Sequence, residues 1–103
     1  MRMSRILLSI LELDRTVHEP ARLAILGMLS IVEEADFLFL LKETGLTRGN
    51  LSSHMSKLES RGYITVSKGY SGRTPRTALA ITPEGRKALG NYKAKMGTIL
   101  KGL

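Results

Sequence analysis

Apolar residues recur along this chain with two different periods, and each change of period marks an element boundary. Residues 5–13 are apolar at Ile6, Leu7, Leu8, Ile10, Leu11 and Leu13, which predicts a helix over about residues 2–13. One helix face cannot bury so much apolar surface in its own domain. The segment is therefore either sandwiched in the core or set against a second subunit. Asp14 to Glu19 is a polar break. Pro20 suits a helix's first turn and opens a second helix through Leu29, with Leu23, Ile25, Leu26 and Leu29 as core positions. After the link from Ser30 to Ala35, Asp36 is a good N-cap for a third helix reaching Thr44, apolar from Phe37 to Leu41.

Gly45 and Leu46 separate that helix from a fourth, predicted between Thr47 and Gly62. Leu51, Met55 and Leu58 make its apolar seam. Thr47 can accept from the free N–H groups of the first turn, Leu46 and Leu51 have hydrophobic-staple spacing, and Gly62 is placed to end the helix. Its other sides carry Arg48, Asn50, Ser52, Ser53, Ser56 and Lys57. Most amphipathic helices carry Glu and Lys on their wet face. Short hydrogen-bonding side chains can instead approach another surface closely, as a helix in a DNA major groove must. Helix, glycine turn, helix is the helix-turn-helix pattern.

The period then changes to two. Tyr63 to Lys68 alternates as a strand, Gly69 to Arg76 reads as a loop, and Thr77 to Thr82 alternates again with Leu79 and Ile81 on one face. A hairpin after a helix-turn-helix makes a winged helix. Thr82 and Pro83 restart a helix that reaches about residue 101. Its Leu89, Tyr92, Met96, Ile99 and Leu103 have heptad a and d spacing, while Gly90, Gly97 and Gly102 each weaken it by up to about 1 kcal/mol. Such a helix either folds back on its own domain or, in the preferred reading, forms a homodimer interface with the first helix through Ile6, Ile10, Leu13, Leu89, Tyr92, Met96, Ile99 and Leu103. The expected fold is mainly α (α+β): one winged helix-turn-helix domain over residues 1–103, with about five helices and a two- or three-stranded β wing.

Leu51 to Ile64, the basic glycine-containing wing, and Leu79-Ala80-Ile81-Thr82-Pro83-Glu84-Gly85-Arg86-Lys87-Ala88-Leu89 together resemble the small winged-helix transcriptional regulators related to the MarR and ArsR families. The resemblance runs from about His18 to Leu89. It implies a dimeric, DNA-binding regulator, and a short strand in the Ser30–Ala35 link that pairs with the wing, for which Ile31-Val32 is the candidate. It also implies a phosphate contact for His54, against which stands a half-buried structural role beside the Leu51/Met55/Leu58 seam. A small-molecule effector between the dimer helices is compatible with it. Met3, Met28 and Met96 are available to line such a site, and the residues identify no effector.

Charge sharpens this picture. The chain has 103 residues and a formal net charge of +7. Residues 1–41 are net −2, residues 42–76 net +5 and residues 77–103 net +4. The excess thus begins where the helix-turn-helix and wing lie, as a polyanion site requires. Arg48, Asn50, Ser52, Ser53 and Lys57 are the candidates for base readout, since Arg suits guanine and Asn adenine. Thr47, Ser53 and Ser56 suit phosphates. In the wing, Lys68 is a phosphate candidate, and Arg73 and Arg76 can enter a narrow minor groove.

Double-stranded DNA and a second copy of the chain are the expected partners. The alternative is a protein–protein module whose basic face takes an acidic partner. Few aromatics are available for stacking single strands. No cysteine, no His-Glu-x-x-His, no Walker A motif and no dinucleotide fingerprint is present, so no enzyme, metal or cofactor is expected. The longest apolar run, Leu23 to Leu29, is far short of the roughly 20 residues of a membrane span. Arg2 and Arg5 precede an apolar stretch, but Glu12 and Asp14 follow without a small-residue cleavage site, so a cytoplasmic location is expected.

Overall fold

Three helix starts carry a side-chain acceptor for their unsatisfied N–H groups. In the computed structural model, which describes residues 2–103, α1 covers Arg2–Leu11, α2 Pro20–Leu29, α3 Phe37–Thr44, α4 Arg48–Ser60 and α5 Pro83–Gly102. The Glu19 carboxylate accepts from the N–H groups of Ala21 and Arg22, Thr47 Oγ1 from Asn50, and Thr82 Oγ1 from Gly85. Asp36 holds the N-cap position of α3 in extended conformation, without a side-chain cap bond. The end of α4 is closed by Gly62 at φ +75, where Gly62 N–H reaches the Glu59 carbonyl and Tyr63 N–H the Leu58 carbonyl. That is the Schellman pattern, which favours glycine in the left-handed residue.

Three strands, β1 Ala35–Asp36, β2 Ile64–Ser71 and β3 Thr74–Ile81, form an antiparallel sheet in the order β1-β3-β2. The short strand is Ala35–Asp36 and not Ile31-Val32. Ser30 and Ile31 still turn back on the end of α2, and Ile31 is left exposed. Only after Glu34 does the chain reach Leu79 and Ala78 on β3.

The wing strands run further than residues 68 and 77. Ser71 pairs with Thr74 across a two-residue turn, Gly72-Arg73, with Gly72 at φ +65. Glycine first is the residue order of a type II′ hairpin turn. Pro75 tolerates the ladder because pairs alternate between bonded and non-bonded. The bonded pair lies next to the turn, so Tyr70–Pro75 is non-bonded and the proline nitrogen faces an open edge beyond the reach of β1.

The core gathers one face of every element. Ile25, Leu26, Leu29, Leu40, Leu51, Leu58, Ile64 and Leu79 are fully buried there. The heptad stripe of α5 takes the intramolecular alternative. Leu89, Tyr92 and Ile99 are buried within the chain, Met96 is half-buried, and Ile6, Ile10 and Leu13 of α1 and its following turn join the same cluster. Tyr92 also meets His18, with its hydroxyl 2.7 Å from Nδ1. Of the set expected at a subunit interface, Leu13, Leu89, Tyr92 and Ile99 are thus covered by their own chain, Ile6, Ile10 and Met96 are half-buried, and Leu103 is exposed. The uncovered apolar surface is instead the outer side of α1, at Leu7, Leu8 and Leu11, and the end of α5 at Leu100 and Leu103.

Gly85 explains the spacing of the Thr-Pro-Glu-Gly-Arg segment. A Cβ there would overlap the backbone oxygen of Tyr63 and crowd Ile81 Cγ1 at 2.9 Å. That same oxygen accepts from Thr82 N–H at 3.0 Å, so it cannot move away without losing the bond. Gly85→Ala is therefore expected to cost about 1–3 kcal/mol or more, the range for overpacking. Thermal unfolding measures it; an unchanged midpoint would mean that the α4–β2 junction yields freely.

Candidate nucleic-acid interface

The second helix of the helix-turn-helix is α4. Leu51, Met55 and Leu58 turn inward, and this fixes the direction of every other side chain on it. Gly49, Ser53, Ser56 and Ser60 lie opposite the seam and are exposed. Arg48, Ser52 and Glu59 fall on the flank toward the wing, and Asn50 and Lys57 on the other, all of them exposed. The outermost face thus has no side chain longer than serine.

Between α4 and the hairpin runs a groove of about 480 Å³. Arg48, Ser52, Ser56 and Glu59 line it from α4, and Lys68 and Thr77 from the strands. Register explains the second wall. Val66 pairs with Leu79, Lys68 with Thr77 and Tyr70 with Pro75, and paired residues share a face. Lys68 and Tyr70 therefore stand on the same face of the hairpin as buried Leu79, the face turned to α4. Arg48 and Lys68 set a cation on each wall, which suits a phosphate backbone lying between them.

Arg76 does not join them. It pairs with Gly69, one residue out of phase with Lys68, and so occupies the opposite face. There its Nη1 makes a 3.0 Å ion pair with Glu34 Oε1. Arg73 is exposed in the turn at the tip. Thr47 is exposed at the helix start with its hydroxyl engaged in the cap. His54 has the structural placement: it is half-buried, with Nδ1 3.1 Å from Arg22 Nη1 and 3.4 Å from Glu19 Oε2. Arg48, Ser52, Ser56 and Lys68 are brought together, and Asn50, Ser53 and Lys57 share the outer side of α4. Glu59 is the residue that sequence reasoning missed. It lies seven after Ser52, two helical turns along the same flank, and that spacing is the signal that finds it. Glu can accept from cytosine N4.

The far end of α4 is anchored to the turn after α1. The Tyr63 hydroxyl donates to Asp14, and Arg61 Nη2 reaches that hydroxyl at 3.2 Å. Burial alone would raise the Asp14 carboxyl. The Tyr63 bond, the backbone N–H groups of Val17 and Thr16 and the Arg61 charge outweigh it and hold the group below its ordinary value. Burial and the Asp14 bond raise Tyr63. The carboxylate form of Asp14 is thus part of the anchor.

Met28 lines a separate groove with Ala24, Leu40 and Leu46. A cleft of about 700 Å³ between the Glu12–Thr16 turn and α5 is lined by none of Met3, Met28 and Met96. Among the described residues no group of three or more His, Cys, Asp or Glu could hold a metal ion, and no helix is long and apolar enough to cross a membrane.

The geometry has counterparts in known proteins. A family profile described as a winged helix DNA-binding domain matches residues 21–100. An uncharacterized protein from Methanocaldococcus jannaschii is 37% identical over 71 residues, covering 69% of this chain and 77% of that one. The solved structure of a transcriptional regulator homologue from Pyrococcus horikoshii superposes with a TM-score of 0.83 at 28% identity, covering 98% of this chain and 95% of that one. A PadR family transcriptional regulator from Eggerthella lenta superposes with a TM-score of 0.67 at 28% identity, covering 90% and 83%.

Proposed function

We propose that this chain, which belongs to the winged helix DNA-binding domain family and is a DNA-binding regulator of transcription, reads duplex DNA sequence-specifically as a homodimer. In this reading α4 lies in the major groove with Arg48, Asn50, Ser52, Ser53 and Lys57 toward base edges. Thr47, Ser56 and Lys68 hold phosphates, and Arg73 at the wing tip reaches along or into the minor groove. The observation that carries it is the α4 surface itself: small polar residues outermost, flanked by a groove with Arg48 and Lys68 on its two walls. Arg76, paired to Glu34, is left out of the contact set, and His54 supports the helix from behind. The protein acts in the cytoplasm, without catalysis of its own.

The second copy is placed on the outer face of α1. Leu7, Leu8 and Leu11 are 52%, 56% and 68% exposed, and Leu100 and Leu103 are 62% and 70% exposed. An apolar patch of this kind favours a partner. Two modules are also needed, because one helix-turn-helix reads too few base pairs to find a site in a genome.

Selection from a random duplex pool followed by substitution tests the readout. Arg48→Ala or Asn50→Ala should relax preference at particular base pairs by roughly 1–3 kcal/mol, whereas Lys68→Ala should chiefly weaken all duplexes. Uniform loss in all three variants would mean that α4 does not read bases.

A further inference from the structure

We infer that Arg22 is a positioning residue for the recognition helix, the guanidinium that fastens the middle of α4 to the turn descending from α1. Among the described residues it is the buried charged side chain, 9% exposed. Its donors point to two elements at once. Nε donates to the Thr16 carbonyl at 2.7 Å and Nη2 to the Arg15 carbonyl at 3.4 Å. Nη1 lies 3.1 Å from His54 Nδ1. A guanidinium can only donate, so His54 accepts at Nδ1 and the neutral ring carries its proton on Nε2. The Glu19 carboxylate, 3.4 Å from the same nitrogen, cannot set this state, because it only accepts. Protonation at Nδ1 would reverse the partners: the ring would lose Arg22 and turn to Glu19.

Two tethers thus hold α4. Tyr63–Asp14 ties its far end to the turn after α1, and His54–Arg22 ties its middle to the first turn of α2 and, through the other donors of Arg22, to Thr16 and Arg15. His54 stands one turn from Asn50 and Lys57, at i−4 and i+3, so these share its flank. Release at His54 lets α4 rotate about its axis and displaces that flank first. Arg22 lies behind the helix and adds little to the exposed charge. Its loss should lower discrimination between duplexes while leaving general attraction to DNA in place. The inference rests on the DNA-binding reading above, and a DNA-free measurement separates the two.

R22K keeps the charge, but its three donors sit on one nitrogen, which cannot stand at the places of Nε, Nη1 and Nη2 of the planar fork at once. The ratio of affinities for a selected and a random duplex should fall about tenfold in R22K, the scale of one charge-assisted hydrogen bond. Random-duplex affinity should stay within about twofold, since the phosphate-facing cations are intact. H54Q, whose carbonyl oxygen can accept in place of Nδ1, should retain the ratio. H54L should lose it, and adding R22K to H54L should then cost little more. This pair carries the comparison if R22K does not fold.

Nitrogen NMR of the full chain without DNA, at a pH where the ring is neutral, should show His54 with its proton on Nε2 in the wild type and a tautomer mixture in R22K. A wild-type mixture would overturn the inference, as would equal losses for selected and random duplexes in R22K. A wild type without any sequence preference would remove the DNA reading, and the tautomer would still decide whether Arg22 sets the ring.

Discussion

Raising monovalent salt from about 50 to about 200 mM should weaken binding to a selected duplex by roughly 10⁴-fold, because neutralising phosphates releases counterions. Arg48, Lys57, Lys68 and Arg73 are exposed on the proposed DNA side of each chain, and Arg76 is discounted because Glu34 already neutralises it. Two copies bring about eight such cations, for a log–log slope of roughly −7, whereas a single chain gives about half that slope. Titration of a labelled duplex across a salt series reads it directly. A flat slope would remove polyanion binding, and a slope near −3 or −4 would place only one chain on the duplex. Lys68→Ala should reduce the slope by about 1 per chain, which separates the wing's share from that of α4.

The helix-turn-helix was legible because each of its signals is local. Thr47, Leu51, Met55, Leu58 and Gly62 act within a few residues of one another, and the structure places each in its expected position. The wing was legible in kind but not in extent. Gly69, Gly72 and Pro75 have turn chemistry, yet two of them lie inside strands, because a two-residue turn needs only Gly72 and Arg73. Strand parity was available for Arg76: counting back by twos from Leu79 passes Thr77 and Pro75 and leaves Arg76 on the other face. The heptad stripe of α5 illustrates a different limit. Spacing shows that a helix has an apolar face, but not which surface covers it, and α1 of the same chain proved to be long enough and apolar enough to do so. Arg22 had no local signal, since its contact with His54 spans 32 residues of sequence.

Placing a charge on the outer face of α1 should convert a dimer to a monomer and reduce affinity for a duplex carrying both half-sites by roughly 10²–10⁴-fold, the advantage that linked sites lose when they act singly. Leu8→Glu and Leu11→Glu are the variants to use. Both side chains are more than half exposed in the single chain, at 56% and 68%, so neither change opens the core. Affinity for a single half-site should stay nearly constant, because α4 and the wing are untouched. Met96→Lys is no substitute: Met96 is half-buried against the same cluster as Ile6 and Ile10, so a charge there would loosen α1 from α5 within one chain and lower stability whatever the assembly. Sedimentation at concentrations on the order of ten micromolar, where an interface of ordinary strength is populated, should give twice the chain mass of 11.4 kDa for the wild type and that mass for the variants. A wild-type monomer at that concentration would overturn the assembly. So would a variant that keeps full affinity for the paired site, since the exposed leucines would then have no part in joining two recognition helices.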